Sequence, residues 1–110
     1  MSQKMRTQVA IIGSGPAGLL LSELLRKVGI DAVVIDRQSR SHIEARIRAG
    51  VLEWGTVEAL REAGVGARMH IEGIPHLGFE MCFDGQRHRI DLAGLADRKV
   101  MVYGQTELTK

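Results

Sequence analysis

The chain has little cysteine and little proline. Its 110 residues include one cysteine, Cys82, and two prolines. A single cysteine cannot form an intrachain disulfide, so a small secreted domain held together by disulfides is excluded and a reducing cytoplasm is the expected compartment. We expect Cys82 to serve as a small buried hydrophobic residue.

Long hydrophobic runs are also missing. The apolar run after Arg6 ends at a glycine-rich loop, which does not fit a secretion signal. The leucine-rich segment from Leu19 to Val28 is too short and too charged to span a bilayer. We therefore expect a soluble cytoplasmic protein with no membrane partner.

The chain has no marked excess of either charge. Fifteen Lys and Arg residues stand against thirteen Asp and Glu residues, which is too even for a nucleic-acid binder. The four histidines, at positions 42, 70, 76 and 88, match no metal-ligand spacing, so no metal site is expected. There is no G-x-S-x-G turn for a nucleophilic serine. Charge and spacing thus argue against nucleic-acid binding, metal chemistry and nucleophilic hydrolysis.

A glycine-rich loop follows an apolar segment near the start of the chain. Residues 9–12 are apolar and mostly β-branched, which suits a strand buried on both faces of a parallel sheet. Gly13, Gly15 and Gly18 follow at G-x-G-x-x-G spacing. In this motif the first glycine permits the tight turn, the second lets a pyrophosphate approach, and the third allows close packing of helix and strand. The phosphates would lie at the helix N-terminus.

The segments after the loop complete a Rossmann-like βαβ unit. The apolar stripe from Leu20 to Val28, followed by Gly29, predicts an amphipathic helix. A second parallel strand is predicted at 32–35, and Asp36 after it is the acid expected to bind a ribose hydroxyl pair. The alternative is a structural glycine turn with a solvated Asp36.

Basic residues follow this acid. Between positions 37 and 48 the chain has four arginines and a single acid, Glu44. The arginines are Arg37, Arg40, Arg46 and Arg48. We interpret this segment either as a solvated surface loop or as a phosphate contact, and Arg48 is the residue best suited to that contact.

Two further elements are predicted in the second half of the chain. Apolar residues at three-residue steps from 50 to 63 predict a helix that Gly64 ends. Alternating residues from Leu77 to Phe83, followed by Asp84-Gly85, predict an antiparallel hairpin that continues to Leu92. A third interpretation is that the chain is one half of a nicotinamide dehydrogenase. The antiparallel hairpin argues against it, because such a half is built from parallel strands.

The last residues predict a strand from Val100 to Tyr103 and a new helix capped by Thr106. The chain stops within the first turn of that helix. The predicted fold is therefore α/β, with a Rossmann-like βαβ unit and an antiparallel hairpin or meander insertion. We expect an incomplete domain, with residues 1–110 forming the N-terminal segment of a longer protein.

Several stretches together resemble one family of flavoproteins. The chain is similar to the N-terminal FAD-binding part of the 4-hydroxybenzoate 3-monooxygenase family, which are class A flavoprotein aromatic hydroxylases. The resemblance rests on these stretches: Val9–Gly18, Asp36–Gln38, Arg46–Glu53, Gly85–Arg87, Arg89–Leu92 and Val102–Glu107. The third and the last are the most specific.

The resemblance implies a parent enzyme that binds FAD and takes hydride from NADPH, with NADH possible as reductant. It implies hydroxylation of 4-hydroxybenzoate to 3,4-dihydroxybenzoate, and a homodimeric parent. The residues that clamp the aromatic acid would lie beyond position 110, so the chain alone is expected to be inactive. Two alternatives remain open: a segment of another phenol-type or salicylate-type FAD hydroxylase, and a stand-alone nucleotide-binding module without catalysis.

The resemblance also implies roles for individual residues. Arg37 and Gln38 match positions associated with nicotinamide-nucleotide choice, and His76 matches the end of a proton relay from the substrate phenol. Asp36 stands where relatives usually carry Glu, and His42 where they often carry Tyr. The residues assigned to cofactor binding are Gly13, Ser14, Gly15, Ala17, Gly18, Asp36, Arg37, Gln38, Arg46, Arg48, Gly50, Val51 and Gln105.

Overall fold

The computed structural model describes residues 4–110, which divide into two compact units. The first unit comprises the chain up to Arg48 together with Gln105–Lys110, and the second comprises Ala49–Gly104. Helices and both parallel and antiparallel strands are present, which confirms the predicted α/β class.

The elements follow one another along the chain in this order: β1 (Val9–Ile12), α1 (Pro16–Lys27), β2 (Ala32–Ile35), α2 (Arg40–Ala45), β3 (Val51–Glu53), α3 (Trp54–Ala63), α4 (Ala67–Glu72), β4 (Ile74–His76), β5 (Gly78–Phe83), β6 (Gln86–Asp91), α5 (Leu92–Ala96), β7 (Val100–Val102) and α6 (Gln105–Leu108).

The predicted βαβ unit is confirmed. β1 and β2 are parallel, and their register runs from Val9 opposite Ala32 to Ile12 opposite Ile35. α1 has a proline in its first turn, and Gly29 after it adopts a φ of +73°, as a glycine beyond a helix C-cap does.

The expectation that β1 is buried on both faces is wrong for this chain. Ile11 is buried, but Ile12 is 81% exposed. Successive side chains of a strand point to opposite faces of the sheet. Ile11 points toward α1, where its Cγ2 lies close to Gly18, whereas the opposite face, which carries Ile12, is left in solvent.

A short helix, α2, replaces the loop expected after Asp36. The hydroxyl of Ser39 caps it by accepting a hydrogen bond from the His42 backbone N–H at 3.3 Å. Arg40 and Glu44, one turn apart, pair at 2.6 Å. The segment has no apolar stripe long enough to signal a helix, and the Ser39 cap and the Arg40–Glu44 pair are the interactions that stabilise it locally.

The capping role expected for Thr106 is also wrong. α6 begins at Gln105, so Thr106 lies inside the helix. The Thr106 hydroxyl instead donates a hydrogen bond to the Arg46 carbonyl oxygen at 3.2 Å. This bond joins α6 to the residue that ends α2.

The second unit is built around a three-stranded antiparallel sheet with β7 in its centre. β3 and β4 flank β7, so that Val51 and Ile74 both lie opposite Val102. The sequence predicts a helix from position 50, but residues 51–53 form β3 because they pair with β7, a strand far along the chain. The predicted helix end at Gly64 is confirmed, since Gly64 adopts a φ of +82°.

The hairpin formed by β5 and β6 is confirmed in position and turn. Asp84 and Gly85 have φ values of 50° and 69°, the paired left-handed conformation of a type I′ turn. Cys82 lies opposite Arg87 on the hairpin and is exposed, so the expectation of a buried cysteine is wrong. A two-stranded ribbon leaves its residues accessible.

Most of the buried apolar residues belong to the second unit. In the part of the chain that the structure describes, the first unit contributes Ile11 alone. The buried residues of the second unit are Leu52, Val57, Leu60, Ala63, Met69, Met101 and Tyr103. No helix among residues 4–110 is both long and apolar enough to cross a membrane.

Candidate functional site

The loop between β1 and α1 forms a tight backbone turn. Gly13 adopts a φ of +109°, and its N–H donates to the Ile35 carbonyl oxygen at 2.7 Å. A Cβ at Gly18 would overlap the Gly13 carbonyl oxygen and lie 3.2 Å from Cγ2 of Ile11. The first and third glycines thus meet the steric needs that the motif predicts.

The N-terminus of α1 presents backbone donors without a side-chain cap. Gly15 is the N-cap residue, and the first turn carries no acidic side chain. The Gly15 carbonyl accepts the N–H of Leu19 at 3.0 Å. The N–H groups that precede Leu19 in the helix have no intrahelical acceptor, and the helix dipole favours an anion there.

Arg48 adds a positive charge beside this turn. A Cβ at Gly15 would lie 3.8 Å from Nη1 of Arg48. The guanidinium therefore lies next to the second glycine, where the motif expects a pyrophosphate. Guanidinium groups bind phosphate oxygens through paired hydrogen bonds.

Asp36 is held by three short hydrogen bonds. Its Oδ2 accepts from the backbone N–H and from the hydroxyl of Ser14, both at 2.8 Å. Its Oδ1 accepts from the Gln38 backbone N–H at 2.8 Å. These donors link the end of β2 to the glycine loop.

The same donors stabilise the ionised form of Asp36. The backbone N–H of Ser14 contributes most, followed by the backbone N–H of Gln38 and the Ser14 hydroxyl. Together they lower the pKa of the exposed carboxyl from 3.8 to about 2. Asp36 is therefore a carboxylate throughout the physiological range.

A cleft of about 440 Å³ lies beside this network in the first unit. Its walls combine apolar side chains with the hydrogen-bonding groups at the end of β2, as small-molecule sites commonly do. The lining residues are Ser14, Leu19, Val34, Asp36, Gln38, Arg40, Ile43, Glu44, Thr109 and Lys110.

The other predicted residues of the first unit occupy its surface. Arg37 and Ala17 are exposed. Arg46 is also exposed, and its carbonyl accepts the bond from α6 described above. Gln105 opens α6, and its carbonyl accepts a hydrogen bond from the Thr109 hydroxyl at 3.2 Å.

Three predicted residues lie in the second unit. The Gly50 carbonyl accepts the Tyr103 N–H at 2.7 Å, and a Cβ at Gly50 would lie only 3.2 Å from Cα of Gly104. Val51 is 60% exposed in β3. His76 is exposed at the end of β4, opposite Val100.

Sequence reasoning placed Arg40 in a segment with a possible phosphate contact, but it missed the helix α2 and the roles of Ile43 and Glu44 in lining the cleft. Arg40, Ile43 and Glu44 all contribute to its wall. Two signals could have found this helix: a serine at the capping position and an Arg–Glu pair four residues apart. Among residues 4–110, no cluster of His, Cys, Asp and Glu side chains is arranged to hold a metal ion.

Comparison with known proteins identifies one matching family and several similar proteins. Residues 6–110 match the family described as FAD binding domain. The chain is 51% identical over 109 residues to p-hydroxybenzoate hydroxylase of Acinetobacter baylyi, covering 98% of this chain and 27% of that protein. It is 33% identical over 72 residues to phenol 2-monooxygenase of a Pseudomonas species, covering 66% of this chain and 12% of that protein.

Among solved structures, a similar fold occurs in Pseudomonas aeruginosa PqsL in complex with 2-aminobenzoylacetate. The TM-score is 0.82 over 94% of this chain and 28% of that chain, at 22% sequence identity. That identity supports a shared fold alone. The chain spans 27% of the length of the hydroxylase and 12% of the length of the phenol monooxygenase.

Proposed function

From the premise that the chain belongs to the FAD binding domain family, as the N-terminal FAD-binding portion of class A flavoprotein hydroxylases, we propose that its first unit holds the ADP half of FAD. The observation that carries the proposal is the shape of the loop. Gly18 has no room for a side chain, and Arg48 lies beside Gly15. A pyrophosphate fits this cradle of backbone donors and guanidinium.

Each assigned residue then has a binding task. Gly13, Ser14, Gly15, Ala17 and Gly18 form the pyrophosphate loop, and Arg48 neutralises the phosphate charge. Asp36 accepts a hydrogen bond from the adenosine ribose. Arg46 and Gln105 are assigned to the same cofactor, and Gly50 and Val51 to the neighbourhood of the flavin ring. Residues 37–38 are assigned to the choice of nicotinamide nucleotide.

The parent reaction is the finer part of the proposal. Bound FAD supplies electron transfer and the activation of dioxygen, while the protein binds and orients the reactants. We propose that the parent enzyme uses NADPH, with NADH possible, and hydroxylates 4-hydroxybenzoate to 3,4-dihydroxybenzoate as a homodimer. The identity of 51% to p-hydroxybenzoate hydroxylase supports this substrate.

His76 is the residue of this chain that we propose for proton transfer. It would pass the proton of the substrate phenol to solvent. Its exposed position at the end of β4 supports this role, because a group that exchanges protons with water must reach water.

A phenol-type hydroxylase is the second candidate, favoured by the 33% identity to phenol 2-monooxygenase. The test measures NADPH and NADH oxidation by the full-length gene product, with 4-hydroxybenzoate, phenol and salicylate as substrates, and identifies the products by chromatography. Coupled formation of 3,4-dihydroxybenzoate supports the first candidate. Oxidation without that product, or turnover of phenol alone, overturns it.

A further inference from the structure

The glycine loop and the ribose acid are joined by a side chain as well as by the backbone. The Ser14 hydroxyl and the Ser14 N–H both donate to Oδ2 of Asp36 at 2.8 Å. Any residue except proline at position 14 could supply the N–H, but the second bond requires a side-chain donor, which here is the Ser14 hydroxyl. The motif itself does not require that bond.

We infer that the Ser14 side chain is a positioning residue that fixes the Asp36 carboxylate for a ribose with free 2′- and 3′-hydroxyls, and so selects against a ribose that carries a 2′-phosphate. This inference rests on the proposed function, because it concerns the nucleotide held by the first unit. It assigns to Ser14 a task beyond its place in the pyrophosphate loop.

The hydrogen-bond count of the carboxylate supports the inference. A carboxylate offers about four acceptor directions. Ser14 donates two hydrogen bonds to Oδ2 and the Gln38 N–H donates one to Oδ1. The Arg37 N–H makes only the weakest contribution to the lowered pKa, so Oδ1 retains acceptor capacity for a ribose hydroxyl. The Ser14 oxygen donates its proton to Asp36 and keeps acceptor capacity for a second hydroxyl.

Side-chain length gives a second reason. Aspartate is one methylene shorter than glutamate, so its carboxylate lies nearer to the backbone of β2 than a glutamate carboxylate could. The hydroxyl of Ser14 reaches this shorter side chain directly, at 2.8 Å. The two residues together provide the acceptors that a longer acid would provide alone.

The fixed negative charge explains the selectivity. Asp36 is ionised, and its pKa is lowered first by the Ser14 N–H, then by the Gln38 N–H and the Ser14 hydroxyl. A carboxylate held in place repels a phosphate on the neighbouring ribose oxygen, whereas a mobile one can turn away.

The test compares Ser14→Ala with Ser14→Thr and with a control, Ser22→Ala, on α1. Calorimetry measures the binding of ADP and of 2′-phospho-ADP to each variant. Ser14→Ala also removes the hydroxyl oxygen that accepts the second ribose hydroxyl, and loss of this hydrogen bond predicts an ADP affinity about tenfold lower. The affinity for 2′-phospho-ADP should fall less than the affinity for ADP, because the freed Asp36 carboxylate can turn away from the 2′-phosphate, so the preference for ADP falls. Ser14→Thr keeps the hydroxyl and should retain the preference, as should Ser22→Ala.

A measurement without nucleotide tests the bond between Ser14 and Asp36 separately from nucleotide binding. Carboxyl NMR should show a higher Asp36 pKa in Ser14→Ala than in the wild-type chain and in Ser22→Ala. Equal pKa values and an unchanged ADP preference overturn the positioning role. If the wild-type chain binds neither ADP nor FAD, the proposed function fails, and the pKa comparison still tests the bond between Ser14 and Asp36.

Discussion

Gly18 is the glycine at which an added Cβ would clash most severely with its surroundings. A Cβ there would overlap the backbone oxygen of Gly13, which cannot move without opening the loop. We expect Gly18→Ala to lower the free energy of unfolding by about 1–3 kcal/mol and to abolish nucleotide binding. Urea unfolding measures the first effect. The control is Gly55→Ala in α3, where a Cβ meets nothing within 4 Å, and this change should stabilise the chain by about 0.5–1 kcal/mol. Equal effects of the two substitutions would contradict the claim that position 18 has no room for a side chain.

Arg48 should carry much of the affinity for the pyrophosphate. Arg48→Gln removes a charged donor beside Gly15. The loss of a charge-assisted hydrogen bond predicts an ADP affinity about ten to a hundred times lower, measured by calorimetry. Arg26→Gln is the matched control, since Arg26 pairs with Glu23 at the other end of α1. If the Arg48 variant binds ADP as well as the control does, Arg48 does not contribute to nucleotide binding.

The pH dependence of stability should report on Asp36. Its pKa is about 2 in the folded chain against an ordinary value of 3.8, so the folded state favours the ionised form. This stabilisation is complete above the ordinary value and is lost as the pH falls toward 2. Thermal unfolding should show Asp36→Asn to be less stable than wild type at neutral pH, with the difference shrinking through that window. A difference that does not change with pH would refute the hydrogen-bond network.

At the scale of single residues, the sequence predicts the roles of the glycines correctly, because each role depends on residues nearby in the chain. Gly13, Gly18 and Gly29 do what their spacing indicates. The bond from the Ser14 side chain to Asp36 joins positions 22 apart in sequence. No local pattern encodes such a contact, so it became visible only in three dimensions.

Among the elements, the hairpin of β5 and β6 depends most on its turn. Gly85 has a φ of 69° in the type I′ turn, where a side chain is strained. Gly85→Ala should cost about 1–2 kcal/mol of stability, measured by urea unfolding. Gly104→Ala serves as the control, because a Cβ there meets nothing within 4 Å and its φ is not in the left-handed region. A neutral effect at Gly85 would argue against this turn.

Elements with strong local signals were predicted, and those defined by distant partners were not. The βαβ unit and the hairpin have clear periodicity and turn residues, and both are confirmed. The helix predicted at residues 51–53 is wrong, because Val51–Glu53 become a strand only by pairing with β7. α2 and α4 have six residues each, too few for a periodic signal.

The whole chain combines two units with different amounts of buried core. Among the described residues, the second unit holds nearly all of the buried apolar side chains, while the first holds the glycine loop, Asp36 and Arg48. The α/β class could be predicted from the sequence, because alternating helix and strand patterns are local. The division into units could not, since it depends on the return of residues 105–110 to the first unit.

The most direct test of the central claim maps ADP onto the chain by NMR. An isotope-labelled chain is titrated with ADP, and backbone amide shifts are followed residue by residue. The account predicts saturable shifts at Gly13–Gly18, at Asp36–Gln38 and at Arg48, with the β5–β6 hairpin unaffected. Absence of shifts at saturating ADP, or shifts confined to the second unit, would contradict the claim that the first unit holds the ADP half of FAD.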